Sequence, residues 1–128
     1  MKKYFSLLVF SLVIVLSPSC SAQSESEGKG GDVEVTQAKD LIEAKKITTI
    51  IDVRTPGEVK QGKIEGSVNI NINDADFKEK IEALPKDQSY LVYCKSGGRS
   101  ARAAKIMTEM GFEEVYNMKG GYGAWTSK

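Results

Sequence analysis

The chain has 128 residues, a formal net charge of +1, two cysteines and no histidine, which leaves room for about one compact domain of roughly 100 residues behind a removable N-terminus. Acids and bases are scattered through the body, so nothing resembles the basic stripe of a nucleic-acid binder or an acidic tail, and any charged ligand must be held by a local site. The absence of histidine excludes an imidazole general base, a Ser-His-Asp triad and any histidine metal ligand.

From the N-terminus, Met1-Lys2-Lys3, the apolar run Tyr4 to Leu16 and then Ser17-Pro18-Ser19-Cys20 follow the charged, apolar and small-residue order of a secretory signal. The apolar run is shorter than the ~20 residues that span a membrane. Residues 1–19 resemble a bacterial lipoprotein signal, although Ser17 stands where the lipobox usually carries leucine. The resemblance implies cleavage before Cys20, lipidation of Cys20, and a mature protein anchored at a membrane and facing the periplasm or the cell surface. Residues 20–31 then form the lipidated cysteine and a tether, because Ser21 to Gly31 is polar and glycine-rich without apolar periodicity. The folded domain is expected over 32–128. A disulfide between Cys20 and Cys94 is the plainer reading for an exported protein, but each cysteine has its own explanation.

Within the domain, Val33 and Val35 flank Glu34 as a short strand. Thr36 is placed to cap a helix with Ala38, Leu41, Ile42 and Ala44 at helical spacing, and Thr49-Ile50-Ile51 reads as a buried strand. Thr55 to Gln61 reads as a short helix, with Pro56 in the first turn and a capping box from Thr55 to Glu58. Ser67 to Ile70 is a strand, Asp76 to Leu84 an amphipathic helix closed by Pro85, and Tyr90 to Tyr93 a buried strand. Ser100 to Met110 is a helix stopped by Gly111, Val115-Tyr116 a strand, and Gly121 to Thr126 a final helical turn. This alternation predicts an α/β domain with a mainly parallel sheet, whose sites lie at the carboxyl ends of the strands.

The strand Leu91-Val92-Tyr93 runs directly into Cys94-Lys95-Ser96-Gly97-Gly98-Arg99 and then into a helix. That order puts a thiol at a helix N-terminus, inside a glycine-rich loop whose N–H groups can turn inward as an anion cradle. Lys95 and Arg99 add positive charge close by. Each effect favours thiolate, so Cys94 is expected to ionise more readily than a free thiol and to attack without a histidine. A buried packing cysteine would need neither the glycines nor the basic residues.

Cys94-x-x-Gly97-x-Arg99-Ser100 resembles the active loop of the rhodanese family. Further matching blocks are Ile51-Asp52-Val53-Arg54-Thr55-Pro56-Gly57-Glu58, Gly62-Lys63-Ile64-Glu65-Gly66-Ser67-Val68-Asn69-Ile70, and Gly120-Gly121-Tyr122-Gly123-Ala124-Trp125. The resemblance implies a five-stranded, mainly parallel sheet flanked by helices on both faces, with the active loop after the fourth strand. It also implies a sulfurtransferase that carries sulfane sulfur as a persulfide on Cys94, from thiosulfate or a similar anionic donor to a thiol or cyanide-like acceptor, with no cofactor and no metal. The cradle would be Lys95, Ser96, Gly97, Gly98 and Arg99, and Arg54 would line the pocket mouth. Asp52 is read as capping the turn, and Arg54 as pairing with Glu58 at helical spacing. Lys63 replaces the histidine usual after the glycine of its block, which is not the sulfur carrier. Tyr122 and Trp125 are read as packing residues, with Trp125 closing the sheet edge.

Three other functions compete. Phosphatases of related fold place five residues between cysteine and arginine, whereas four separate Cys94 from Arg99. A sensing or partner-binding module that keeps the fold without catalysis would usually have lost the cysteine. A thiol redox protein would need a Cys-x-x-Cys pair, which is absent.

Overall fold

The computed structural model describes residues 29–127, so the signal-like segment, Cys20 and most of the tether lie outside the described residues. Five parallel strands form one sheet in the order β1-β5-β4-β2-β3. They are β1 (Gly30–Val33), β2 (Thr49–Asp52), β3 (Val68–Asn69), β4 (Ser89–Tyr93) and β5 (Glu114–Met118). Between and after them lie α1 (Val35–Glu43), α2 (Pro56–Lys60), α3 (Phe77–Glu82), α4 (Gly98–Glu109) and α5 (Gly121–Ser127). The α/β architecture and the active-loop position after the fourth strand agree with the sequence reading.

The central strand β4 is buried at every residue, and its side chains alternate between two cores as strand geometry requires. Tyr90 and Val92 join Cys94 in a core with Ile51, Phe77, Ile81, Ala103 and Met107, which α3 and α4 cover. Leu91 and Tyr93 enter the opposite core with Val35, Ala38, Ile64 and Met118, which α1 and α5 cover. Both faces are therefore closed, which explains why β4 reads as a continuous apolar run. Leu91, at 0 % exposure, contributes about 1.5–3 kcal/mol by its burial.

Several expected boundaries shift. The first strand is Gly30–Val33 rather than Val33–Val35, and two of its residues fall in the segment read as tether. Gly30 and Gly31 join the sheet purely by backbone pairing with Val115 and Tyr116, which leaves no side-chain signal in the sequence. A Cβ on Gly30 would overlap the Val115 carbonyl, so glycine is needed for that approach. Val33 and Val35 are both buried, but the chain turns between them: Glu34 caps α1, its N–H donating to Gln37 Oε1 at 2.9 Å, and Thr36 lies inside the first turn. The Ser67–Ile70 strand contracts to Val68–Asn69 at the sheet edge. Trp125, on α5, is partly buried and packs against the second core, with Lys39 Nζ 5.0 Å from its ring, rather than closing a sheet edge. The α2 capping box forms as expected, with Glu58 N–H donating to Thr55 Oγ1 at 3.3 Å.

From β2 the chain proceeds outward to β3, and from β4 it proceeds the opposite way to β5. The crevice beyond the carboxyl ends of β2 and β4 is therefore the topological switch point, where open α/β sheets place their ligands.

Candidate active site

Cys94 follows directly on β4 at that crevice, is 1 % exposed, and is a free thiol. The loop turns back over it through Gly97, whose φ of 105° suits glycine, and Gly97 N–H donates to Cys94 Sγ at 3.1 Å. Gly98 has no such requirement; it is the first residue of α4, and a Cβ there would meet nothing. Ser100 is fully buried in the first turn of α4, and its Oγ lies 3.4 Å from Cys94 Sγ and 3.1 Å from the Gly97 carbonyl. Burial pushes the Cys94 thiol pKa up, but hydrogen bonds from the Ser100 hydroxyl and from the N–H groups of Ser100, Ser96 and Gly97 outweigh it and hold the pKa below its ordinary value. Partial positive charge at the N-terminus of α4 acts in the same sense.

The cradle is braced from behind. Tyr122 N–H donates to the Cys94 carbonyl at 2.8 Å, and Gly123 N–H to the Lys95 carbonyl at 3.0 Å. Gly121 lets these strands of backbone meet, since a Cβ there would overlap the carbonyl groups of Cys94 and Lys95. The Gly120-Gly121-Tyr122-Gly123 run is thus a backstop for the loop.

Beside the loop lies a pocket lined by Arg54, Glu58, Gln61, Lys95, Tyr122 and Gly123. Of the residues expected in the site, Arg54 and Lys95 meet here. Ser96 and Gly97 instead border a separate hollow on the other side of the loop, with Asp32, Asn117 and Lys119. The expected Arg54–Glu58 pair does not form. Arg54 precedes α2 and is not in helical register with Glu58; it turns inward and donates from Nη2 to Asp52 Oδ2 at 2.7 Å and from Nε to Asp52 Oδ1 at 3.0 Å. Asp52 also accepts from Tyr93 OH at 2.7 Å. Burial, then the Asp52 hydrogen bond, pushes the Tyr93 pKa up to about 12, so the phenol remains a donor. The Arg54 guanidinium, held above its usual range first by the Asp52 hydrogen bond, stacks 4.4 Å from the Tyr122 ring and donates to the Gly62 carbonyl at 2.7 Å. Asp52 is therefore a buried ion-pair partner as well as a turn cap through the Arg54 N–H, at 3.0 Å.

Arg99 differs from expectation too. It forms a two-point ion pair with Glu58, Nη1 to Oε1 at 2.7 Å and Nη2 to Oε2 at 2.9 Å. The Arg99 hydrogen bond is the main cause that lowers the Glu58 pKa to about 2, against burial. Ser100, Glu58 and Gln61 are site residues that the sequence reading passed over. Only Ser100 had a local signal, as a hydroxyl in the first turn after the thiol loop.

The sequence matches the rhodanese-like domain over residues 34–128. It is 39% identical over 94 residues to the Bacillus subtilis protein YtwF, covering 73% of this chain and 88% of that one. It is 32% identical over 93 residues to the thiosulfate sulfurtransferase GlpE of Shewanella oneidensis, covering 73% of this chain and 89% of the relative. Among solved structures, a rhodanese-related protein from Thermoplasma volcanium superposes with a TM-score of 0.66 at 32% identity, over 75% of this chain and 90% of that chain. With a parallel five-stranded sheet, a thiol loop after its fourth strand and a family match from residue 34 to residue 128, the chain belongs to the rhodanese-like family.

Proposed function

We propose that this rhodanese-like protein is a sulfurtransferase that carries sulfane sulfur as a persulfide on Cys94, taking it from thiosulfate or a similar anionic donor and passing it to a thiophilic acceptor. The observation that carries the reading is a free thiol whose Sγ faces converging donors, Gly97 N–H at 3.1 Å and Ser100 Oγ at 3.4 Å. Donors aimed at sulfur stabilise a thiolate, and they serve a terminal persulfide anion equally well. The thiolate attacks the outer sulfur of thiosulfate; the new S–S bond takes its pair from Cys94, and the old S–S pair leaves with sulfite. In the second half-reaction the acceptor attacks that outer sulfur and Cys94 departs again as thiolate. Both steps balance without a proton transfer, which suits a chain without histidine.

At 1 % exposure, the cysteine admits a slender protruding sulfur more readily than a bulky electrophile. Lys95, exposed at the pocket mouth, supplies positive charge for an anionic donor. Phosphatase chemistry has less support, since Arg99 is engaged by Glu58 and only four residues separate it from Cys94. Residues 1–20 add the location: Cys20 takes the lipid and the domain handles sulfur at an exported membrane face.

The test is thiocyanate formation from thiosulfate and cyanide by the protein and by Cys94→Ser. Wild type should turn over and should carry a removable single-sulfur adduct on the Cys94 peptide by mass spectrometry. A Cys94→Ser variant with wild-type rate would remove the carrier assignment.

A further inference from the structure

Three charged side chains reach the pocket mouth, Arg54, Glu58 and Lys95, and Arg99 stands behind Glu58. Their charges do not act freely. Arg54 is bound to Asp52 with side-chain exposures of 4% and 0%, so that pair presents almost no charge outward. Arg99 is gripped by both oxygens of Glu58, and its guanidinium is held above its usual range chiefly by that carboxylate, with Cys94 a smaller contributor. Among the described residues, Lys95 is then the one cation lining this mouth outside an ion pair. Counted together, Arg54 with Asp52 and Arg99 with Glu58 cancel, leaving Lys95 as the uncancelled charge at the pocket that an incoming donor enters.

We propose that Glu58 is the donor-specificity residue of this site: by closing a two-point ion pair on Arg99 it withdraws the loop's arginine from donor binding, so that Lys95 alone attracts the donor and singly charged sulfane-sulfur donors are favoured over doubly charged ones. The proposal rests on the sulfur-carrier reading and adds the donor's charge class to it. Glu58 does not touch the reacting sulfur; it acts through Arg99 and is a positioning residue.

Glu58→Gln isolates the charge. Glutamine keeps the size and serves at the third position of a capping box, so α2 retains its N-terminus. In the variant, the negative charge that Glu58 presents to the pocket is gone and the positive charge of Arg99 behind it is no longer cancelled. At about 6 Å in water-like dielectric each donor charge then gains roughly three-fold in affinity, giving about ten-fold for a dianion and about three-fold for a monoanion.

The experiment uses the full-length protein with thiosulfate, a dianion, and benzenethiosulfonate, a monoanion that offers the same outer sulfur. Glu58→Gln should lower KM about ten-fold for thiosulfate and about three-fold for benzenethiosulfonate, with kcat little changed. The difference should shrink as salt is added. A second readout needs no turnover: the rate ratio of iodoacetate to iodoacetamide alkylation, followed on the Cys94 peptide, reports the local potential. That ratio should rise about three-fold in Glu58→Gln and fall by a similar factor in Lys95→Gln. Should wild type transfer no sulfur while these ratios shift as stated, the carrier reading fails and the charge assignment stands. Equal KM changes for the two donors, or alkylation ratios that Glu58→Gln leaves unmoved, overturn the proposal; if Glu58→Gln does not fold, an unmoved ratio in Lys95→Gln does so.

Discussion

Among the described residues, Ser100→Ala removes the one side-chain hydroxyl that reaches Cys94 Sγ, and its effect can be worked from the geometry. The hydroxyl has a single hydrogen and two acceptors, Sγ at 3.4 Å and the Gly97 carbonyl at 3.1 Å. With the thiol protonated, the shorter bond to Gly97 is the better one; on ionisation the hydrogen turns to sulfur. A hydrogen bond to a charged group contributes about 1.5–3 kcal/mol and a neutral one about 0.5–1.5 kcal/mol. The exchange therefore favours thiolate by about 1 kcal/mol, a factor of about five in the ionisation equilibrium. The N–H groups of Ser100, Ser96 and Gly97 remain in the variant, so the Cys94 pKa rises without returning to the value of a free thiol. At a pH below both pKa values the thiolate fraction, and with it the iodoacetamide rate, should fall about five-fold. Well above both values the two proteins should react alike. Ultraviolet thiolate absorbance and alkylation of the Cys94 peptide, each followed against pH, measure the midpoint. Coincident midpoints in wild type and Ser100→Ala would refute the hydroxyl's role and leave the backbone cradle as the whole source of reactivity.

Two further outcomes concern the scaffold and the location. Asp52→Ala strands the buried Arg54 guanidinium and the Tyr93 hydroxyl; breaking such a pair costs about 3–5 kcal/mol, which lowers Tm by about 12 °C or more. Thermal unfolding followed by circular dichroism checks this, and a drop below about 4 °C would show that the pair is not the anchor described. Cys20→Ala should abolish partition of the mature protein into detergent and leave it unprocessed as a lipoprotein. Identical soluble behaviour of wild type and variant on fractionation would leave an ordinary cleaved signal.

What was legible in the sequence follows from the range of the interactions. The capping box of α2 spans three residues and was read correctly because both partners sit on one turn. The β4 run, the Cys94 loop and α4 are consecutive, so local patterning located the thiol and its dipole. The first strand was misplaced because Gly30 and Gly31 pair by backbone alone with a strand 85 residues onward. The Glu58–Arg99 pair joins residues 41 apart in sequence, and local spacing argued instead for Glu58 with Arg54. That inference failed because Arg54 lies in the bend between β2 and α2 rather than in the helix, and an i,i+4 rule holds only on a continuous helix. Ser100 stood in plain view, but its hydroxyl acquires meaning only when the loop folds back over Sγ.

The way the loop is held separates reactivity from selectivity. Cys94 and Lys95 are fixed through their carbonyl groups by the N–H groups of Tyr122 and Gly123, and Sγ is answered by Gly97 N–H. None of these bonds uses the side chain of Lys95, Ser96 or Glu58. Substitutions there can alter the field that a donor meets without shifting the cradle that ionises the thiol. The converse holds for Gly121 and Gly97. A side chain at Gly121 would collide with the loop backbone, and one at Gly97 would be strained at a φ of 105°, so the cost of change there falls on the cradle itself. A variant at Glu58 or Lys95 should therefore express its effect in KM and in its dependence on donor charge. A variant at Gly121 should express its effect in the thiol's titration and in the maximal rate.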